Sequence, residues 1–311
     1  MGARDHRYGR MAPARWRPVA AAMALIALAG CTLPRLVTFP FRLTPDERAA
    51  TPPNRGLMLW LEGDGSMEFD GAGRVVRWND MLRGRNRAVL PMLGFRGRPV
   101  TTTFATPYGP RQHVGLRCAA EAGRCAYTPR DFTPSPPPLN LTGVPYSILA
   151  VVVRGPGPRL NNYFLMTSGT GCNIDFGGTG CTGNSVLHLG WLWDGTIRHS
   201  HYDFDIDSLA LRPAEEPTLI VAQSGPRGGM DVASLGVASA HSAFASRADL
   251  GPLSGSGSLL IGGTPFFAGG PAVPDWFFSG DIFALLIYNR ELTLAERQQA
   301  ADYLRNNYGP R

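Results

Sequence analysis

The sequence predicts an all-β protein, a two-sheet antiparallel β-sandwich of the jelly-roll type that ends in one short C-terminal helix. Nine short segments are apolar or alternate between apolar and polar residues, and they are rich in residue types that favour strands. The chain also contains 38 glycines and 27 prolines, which punctuate these segments as turns would. Many short strands with such punctuation are typical of sandwiches and jelly rolls.

The nine predicted strands share this composition. They are Leu57 to Glu62, Arg74 to Asn79, Ser147 to Arg154, Asn161 to Thr167, Val186 to Trp193, Ile197 to Asp203, Thr218 to Gln223, Ser258 to Ile261 and Phe283 to Tyr288.

One helix is predicted, and it is the last element of the chain. Thr293 and Glu296 have the spacing of a capping box, in which each side chain satisfies a free backbone amide of the other residue. Leu304 and Tyr308 lie four residues apart and so share one apolar stripe. Gly309 is a typical residue for the end of a helix.

The first 30 residues are expected to be an export signal. Five arginines precede or flank an apolar run, Val19 to Ala29, that is about half as long as a membrane-spanning helix. The small residues Ala29 and Gly30 then lead into Cys31, and this sequence resembles the lipobox of bacterial lipoproteins. The resemblance implies cleavage before Cys31, acylation of its sulfur and attachment to membrane lipid. The alternative is an ordinary secretory signal with an incidental cysteine.

The remainder is expected to form two parts. Residues 31–55 contain five prolines and no sustained periodicity, which predicts a flexible tether. Residues 56–311 are predicted to be one sandwich domain outside the cytoplasm, in the cell envelope. Thr32 stands where an aspartate would be the usual inner-membrane retention signal of lipoproteins in Gram-negative bacteria. The resemblance to such lipoproteins therefore implies the outer membrane if the cell has one.

Charge and composition exclude several classes of function. The formal net charge is +6, but five of the 30 basic residues and one of the 24 acidic residues lie in the first 30 positions. The rest of the chain therefore carries only +2, which gives no electrostatic reason to expect nucleic acid as a partner. All basic residues are arginine, so lysine-dependent phosphate loops, Schiff bases and Ser-Lys dyads are impossible.

Four cysteines remain once Cys31 is assigned to lipid. Their spacing favours two local disulfides, Cys118–Cys125 and Cys172–Cys181, although four cysteines allow three connectivities. A four-thiolate zinc site is disfavoured, because no pair has the short gap usual in structural zinc sites.

Two ends of the chain resemble laminin G-like jelly rolls of the concanavalin A-like lectin/glucanase superfamily. In bacterial members, a strand ending in Tyr-Asn-Arg is followed by a helix of the form Leu-Thr/Ser-x-x-Glu-Arg and by a terminal Tyr-Leu-x-x-x-Tyr-Gly. The matching residues here are Tyr288, Asn289, Arg290, Leu292, Thr293, Glu296, Arg297, Tyr303, Leu304, Tyr308 and Gly309. The opening strands match at Leu59, Trp60, Leu61, Val76, Trp78, Asp80, Gly84, Asn86 and Ala88. The resemblance extends over about 56–310 and implies the fold rather than a ligand.

The superfamily includes glycoside hydrolases that carry two catalytic carboxylates on one strand, in a Glu-x-Asp-x-(x)-Glu motif. The nearest match here is Glu62-Gly63-Asp64, with Glu68 one position too late. We interpret this segment as a solvated turn, and we therefore expect no catalytic residues and no enzyme.

Two groups of residues are candidates for ligand binding. Arg83, Arg85 and Arg87 belong to an arginine-rich segment that could grip an anionic glycan, or could simply be solvated. Trp191 and Trp193 could stack on sugar rings, although large aromatic residues of a sandwich are usually in its core.

A third group suggests a weak cation site, which calcium could occupy. His199, His201, Asp203, Asp205 and Asp207 would share one face of a regular strand. The plainer alternative is an outward polar face over buried Tyr202, Phe204 and Ile206.

These observations predict a lipid-anchored protein that displays a non-catalytic, lectin-like domain. Its partner would be a glycan or another envelope or surface protein. The alternatives are a divergent glycan-cleaving enzyme of the same superfamily and a structural envelope protein without a small ligand.

Overall fold

The computed structural model confirms the predicted β-sandwich. It describes residues 51–64, 66–82, 87–91, 96–106, 109–118, 125–131, 139–156, 161–167, 186–201, 204–208, 216–226, 230–236, 242–247, 252–254, 258–263 and 278–309. All of them belong to one compact unit, Leu43–Arg311. In the described part of the chain, no helix has the length and apolar character needed to cross a membrane.

Seventeen strands and one helix are described. In chain order they are β1 (Leu57–Glu62), β2 (Met67–Phe69), β3 (Val75–Asn79), β4 (Arg87–Pro91), β5 (Arg98–Thr106), β6 (Gly109–Cys118), β7 (Tyr127–Asp131), β8 (Tyr146–Arg154), β9 (Asn161–Thr167), β10 (Leu187–Leu192), β11 (Ile197–His201), β12 (Asp205–Asp207), β13 (Pro217–Ser224), β14 (Met230–Gly236), β15 (Ser242–Arg247), β16 (Leu259–Ile261), β17 (Gly280–Tyr288) and α1 (Leu294–Tyr308). All nine predicted strands are among them.

The strands form two sheets. Sheet I has the order β15-β14-β13-β8-β17-β6-β5, and β1 pairs with β17 beside this path. Sheet II has the order β12-β11-β10-β9-β16-β7-β4-β3-β2. Each pairing between described strands is antiparallel, as the sandwich prediction requires.

The alternation of side chains divides sheet I between two apolar layers. Leu285 and Ile287 of β17 belong to the core cluster that fills the space between the sheets. The alternate residues Leu286 and Tyr288 are equally buried, and they point to the opposite side because successive residues of a strand face opposite ways. Helix α1 covers this outer side and contacts β5, β6, β8 and β13.

The predicted capping box starts this helix. The Thr293 hydroxyl accepts a hydrogen bond from the Glu296 amide, and the Glu296 carboxylate accepts one from the Thr293 amide. Arg290 adds two hydrogen bonds of 2.7 Å to the same carboxylate. These hydrogen bonds connect the turn after β17 to the first turn of the helix.

Two predicted segments lie outside the described residues. They are the export signal, residues 1–30, and the tether, residues 31–55, over most of its length.

Candidate functional site

Strand β1 ends where sheet I meets the helix and the start of β6. Gly63 follows the strand, and its amide donates a 3.3 Å hydrogen bond to the Phe283 carbonyl. A Cβ atom at Gly63 would lie 1.7 Å from the Val114 carbonyl oxygen, so only glycine permits this approach of the two backbones. The close approach fixes the positions of the two acidic residues on either side, Glu62 and Asp64.

Glu62 faces the outer side of sheet I, beside the helix. Leu59 and Leu61 belong to the interior core, so the alternate residues Trp60 and Glu62 point the other way. The Trp60 indole N–H donates to Glu62 Oε1 over 2.8 Å, and the Tyr303 hydroxyl contacts the same oxygen at 2.5 Å. Only 9% of Glu62 is exposed, and this burial raises the pKa of its carboxyl group.

Asp64 lies two residues further along the chain, and its environment lowers the pKa of its carboxyl group instead of raising it. The side chain is 41% exposed. Partial burial would raise the pKa of Asp64, but hydrogen bonds from His113 Nδ1 and from the Val114 amide, the latter 2.7 Å long, outweigh it. The pKa of Asp64 is therefore lowered, whereas the pKa of Glu62 is raised.

His113 connects Asp64 to the last turn of the helix. Its Nε2 lies 2.8 Å from the Asn307 carbonyl oxygen, which can only accept, while its Nδ1 faces the Asp64 carboxylate. The ring of Tyr308 packs on His113 at a centroid distance of 4.3 Å. Asp64 is thus held by β6 and, through His113, by α1.

The result is a pair of carboxyl groups whose pKa values are displaced in opposite directions. The charge of Asp64 contributes to the raised pKa of Glu62, so the two groups are close enough to interact. Such a pair can combine a proton donor with an anionic carboxylate, which is the arrangement that acid–base catalysis at neutral pH needs. We call Trp60, Glu62, Asp64, His113 and Tyr303 the carboxylate site.

The interpretation of Glu62-Gly63-Asp64 as a solvated turn is wrong. Glu62 is covered by Tyr303, a residue 241 positions away in the sequence, and local patterns cannot show such a contact. The third acidic residue considered, Glu68, is exposed on β2 and pairs with Arg77 at 3.6 Å. It belongs to sheet II and not to the carboxylate site.

The prediction that Arg83, Arg85 and Arg87 bind an anionic ligand is not supported at Arg87. Arg87 is only 2% exposed, and its Nη1 donates a 2.8 Å hydrogen bond to the Met58 carbonyl inside the protein. A side chain buried in this way does not offer its guanidinium to an anionic ligand. Arg83 and Arg85 lie outside the described residues.

The two candidate tryptophans have different environments. Trp191 is fully buried and stacks on Phe278 at a centroid distance of 6.2 Å, so it belongs to the core. Trp193 follows β10 in the turn to β11, and 66% of it is exposed. Stacking of Trp193 on a sugar stays a prediction.

The expected regular strand through the histidines and aspartates is wrong. The chain turns back after His201, and β12 pairs with β11 so that Arg198 lies opposite Asp207 and Ser200 opposite Asp205. Arg198 donates two hydrogen bonds of 2.8 Å to Asp207 and lies 2.7 Å from Asp205.

The turn therefore separates the proposed cation ligands. His199 and His201 are buried, whereas Asp205 is on the other face of sheet II, with Arg198. Asp203 is outside the described residues. Within the described ranges, no group of three or more His, Cys, Asp or Glu residues could hold a metal ion, calcium included.

One predicted disulfide is present. Cys118, the last residue of β6, is bonded to Cys125. The other predicted partners, Cys172 and Cys181, and the lipid-bearing Cys31 lie outside the described residues.

Comparison with known proteins finds relatives by structure alone. No protein family and no curated protein matches the sequence. An arabinofuranosidase complexed with arabinofuranosyl-α-1,2-xylobiose matches with a TM-score of 0.50 and 9% identity, over 76% of this chain and 51% of that one. A sialidase from Trypanosoma rangeli matches with a TM-score of 0.46 and 13% identity, over 83% of this chain and 34% of that one.

These matches show the fold, and the chain spans about half or less of the length of the proteins concerned. The prediction that the protein is not an enzyme is contradicted, because the arabinofuranosidase with a comparable fold is an enzyme. That prediction depended on the absence of one motif from the sequence, and the carboxylate site shows that acidic residues can be brought together without it.

Proposed function

We propose that the protein is a glycan-cleaving enzyme and that the carboxylate site performs the hydrolysis. The observation that carries the proposal is the opposite displacement of the pKa values of Glu62 and Asp64. The arabinofuranosidase provides background only, as an enzyme with a comparable fold that binds an arabinose-substituted xylo-oligosaccharide.

Each residue has a distinct role in this proposal. Glu62, whose pKa is raised by burial, donates its proton to the glycosidic oxygen as the bond to the anomeric carbon breaks. Asp64, kept ionised, stabilises the positive charge that develops at the anomeric carbon. A water molecule then adds to this carbon and returns one proton to Glu62, which restores the acid. Both hydrogen bonds to Glu62 end on Oε1, so Oε2 is the oxygen assigned to proton transfer.

The surrounding residues position this pair. Tyr303 and Trp60 orient the Glu62 carboxyl group, and His113 orients Asp64. Trp60 is itself partly exposed, and its ring edge meets the Tyr303 ring at a centroid distance of 5.8 Å. Its indole offers an apolar surface beside the carboxyl groups on which a sugar ring can rest.

The test is a hydrolysis assay with matched variants of the full-length protein. The probes are 4-nitrophenyl glycosides and arabinose-substituted xylan, with release of nitrophenol or reducing sugar as the readout. Glu62→Gln and Asp64→Asn should each lower the rate about 100-fold or more, which is the usual contribution of a positioned acid or base. Glu68→Gln, an exposed residue outside the site, is the control and should retain the wild-type rate. Equal rates in all four proteins would exclude the carboxylate site as the active site.

We further infer that the enzyme is a lipid-anchored lipoprotein of the cell envelope with a laminin G-like domain. The support is the sequence from Val19 to Cys31 and the closing motif from Tyr288 to Gly309. The expected result is a diacylglyceryl-modified Cys31 in the mass spectrum of the mature N-terminal peptide. Cys31→Ser should release the protein from membranes, and a membrane-bound Cys31→Ser variant would contradict the anchor.

A further inference from the structure

The interior of the sandwich holds a polar cluster that the proposed hydrolysis does not use. His199 and His201 lie two residues apart on β11 of sheet II and point into the core, and Tyr146 faces them from the first residue of β8 in sheet I. The Tyr146 hydroxyl lies 2.8 Å from His199 Nε2 and also contacts His201 Nε2. All three residues are fully buried. Two imidazole nitrogens and one phenol oxygen therefore meet between the sheets.

The orientation of His199 is fixed from its other side. Its Nδ1 lies 3.0 Å from the backbone carbonyl oxygen of Asp231, so Nδ1 carries the proton and donates it. Nε2 consequently presents a lone pair towards Tyr146. Histidines that bind metals typically donate their second N–H to a carbonyl or carboxylate in this way.

We propose that Tyr146, His199 and His201 bind one divalent transition-metal ion of the zinc type. Imidazole nitrogens are common zinc ligands, and a phenolate oxygen supplies a third, anionic donor. Two ligands spaced by one residue on a strand share a face, and the third comes from the opposite sheet. The ion would thus join β8 to β11 across the core and leave its fourth coordination position for another donor.

The proton and charge balance of binding is simple. The ion replaces the hydroxyl proton of Tyr146, one proton is released, and the site gains a net charge of +1. Without the ion, burial raises the pKa of Tyr146 and so favours the neutral phenol. A bound cation reverses this preference for the phenol and stabilises its anion.

Zinc binding requires the three ligand atoms to move apart. Ligand atoms about 2.0 Å from a tetrahedral zinc ion are about 3.3 Å from each other. The Tyr146 hydroxyl oxygen is 2.8 Å from His199 Nε2 and closer still to His201 Nε2, so both pairs of atoms must separate by about half an ångström or more when the ion enters. Because the cluster is enclosed on all sides, we expect the ion to be acquired during folding.

The test is metal retention after refolding of the full-length protein. The protein is unfolded with a chelator, refolded with or without Zn²⁺, passed over a chelating resin and analysed by mass spectrometry for metals. We expect about one zinc per chain and a higher Tm for the protein refolded with zinc. Tyr146→Phe removes only the oxygen and should lower the retained zinc at least 10-fold. His188→Gln replaces a buried histidine on the opposite face of sheet II and should retain zinc as the wild type does.

A second measurement on the wild type keeps the test decisive if a variant fails to fold. Zinc binding should produce the ultraviolet difference spectrum of one ionised tyrosine per chain at neutral pH. The proposal is overturned if wild-type protein refolded with zinc retains no metal, or if it retains metal without ionising a tyrosine. Either result would leave a hydrogen-bonded cluster only, and neither depends on whether the carboxylate site cleaves glycans.

Discussion

His188 should make the folded protein sensitive to acid by an amount that can be worked out from its environment. The side chain is buried on β10 and stacks on Tyr163 at a centroid distance of 4.9 Å. Burial, followed by the nearby Arg198 and His201, lowers the pKa of His188 from 6.5 to about 3. In the unfolded chain the same imidazole titrates near 6.5.

The sign of the effect follows from which state takes up the proton. Between pH 6.5 and 3 the unfolded chain binds a proton that the folded protein does not, so the free energy of unfolding falls as the pH falls. Well below pH 6.5 each pH unit is worth about 1.4 kcal/mol. Because the unfolded imidazole is only half protonated at pH 6.5, the loss from pH 6.5 to 4.5 is about 2.3 kcal/mol. This loss is a large part of a typical total of about 5–15 kcal/mol.

The assay is urea unfolding, followed by tryptophan fluorescence, of wild-type protein and His188→Gln at several pH values. The difference between the two free energies of unfolding should change by about 2.3 kcal/mol between pH 6.5 and 4.5, because the variant lacks the titrating group. Groups common to both proteins cancel in this difference. They include Asp231, whose pKa burial raises to about 6 and which therefore stabilises the folded protein as the pH falls. A difference that stays constant with pH would refute the reasoning.

Three further predictions concern the site, the helix and the exposed tryptophan. Gly63→Ala should lower the free energy of unfolding by about 3 kcal/mol or more, because the added methyl group would clash with the Val114 carbonyl oxygen. Gly71→Ala is the control and should not lower it, because the space around Gly71 is open. Equal urea midpoints for the two variants would contradict this prediction. Thr293→Ala should cost about 1 kcal/mol through loss of the cap, and no change would show that the cap is dispensable. Trp193→Ala should leave the Tm nearly unchanged but weaken retention on immobilised glycans, and unaltered retention would exclude Trp193 as a sugar contact.

The sequence predicted those elements whose stabilising contacts are local or follow a strong pattern. The limits of β1 and β9 agree with prediction because both are short, mostly apolar runs with glycine, proline or serine close by in the sequence on either side. The capping box could be predicted because Thr293 and Glu296 are only three residues apart in the sequence. By contrast, β5 was missed, because it is rich in threonine and mostly exposed and so lacks an apolar period.

The carboxylate site could be predicted only in part. Glu62 and Asp64 were recognisable as a candidate motif, but their chemistry depends on Tyr303 and His113, which are 241 and 49 residues away from them. The histidine prediction failed for a related reason. The turn after His201 reverses the chain, and alternation along a sequence does not reveal where a strand ends.

The pH dependence of kcat/KM for glycoside hydrolysis tests the central claim most directly. The account predicts a bell-shaped profile, in which the acid limb reports Asp64, with a pKa below its usual 3.8, and the alkaline limb reports Glu62, with a pKa above its usual 4.5. Glu62→Gln should remove the alkaline limb along with most of the activity. A protein that cleaves glycosides with the same profile before and after this substitution, or cleaves none, would contradict the account.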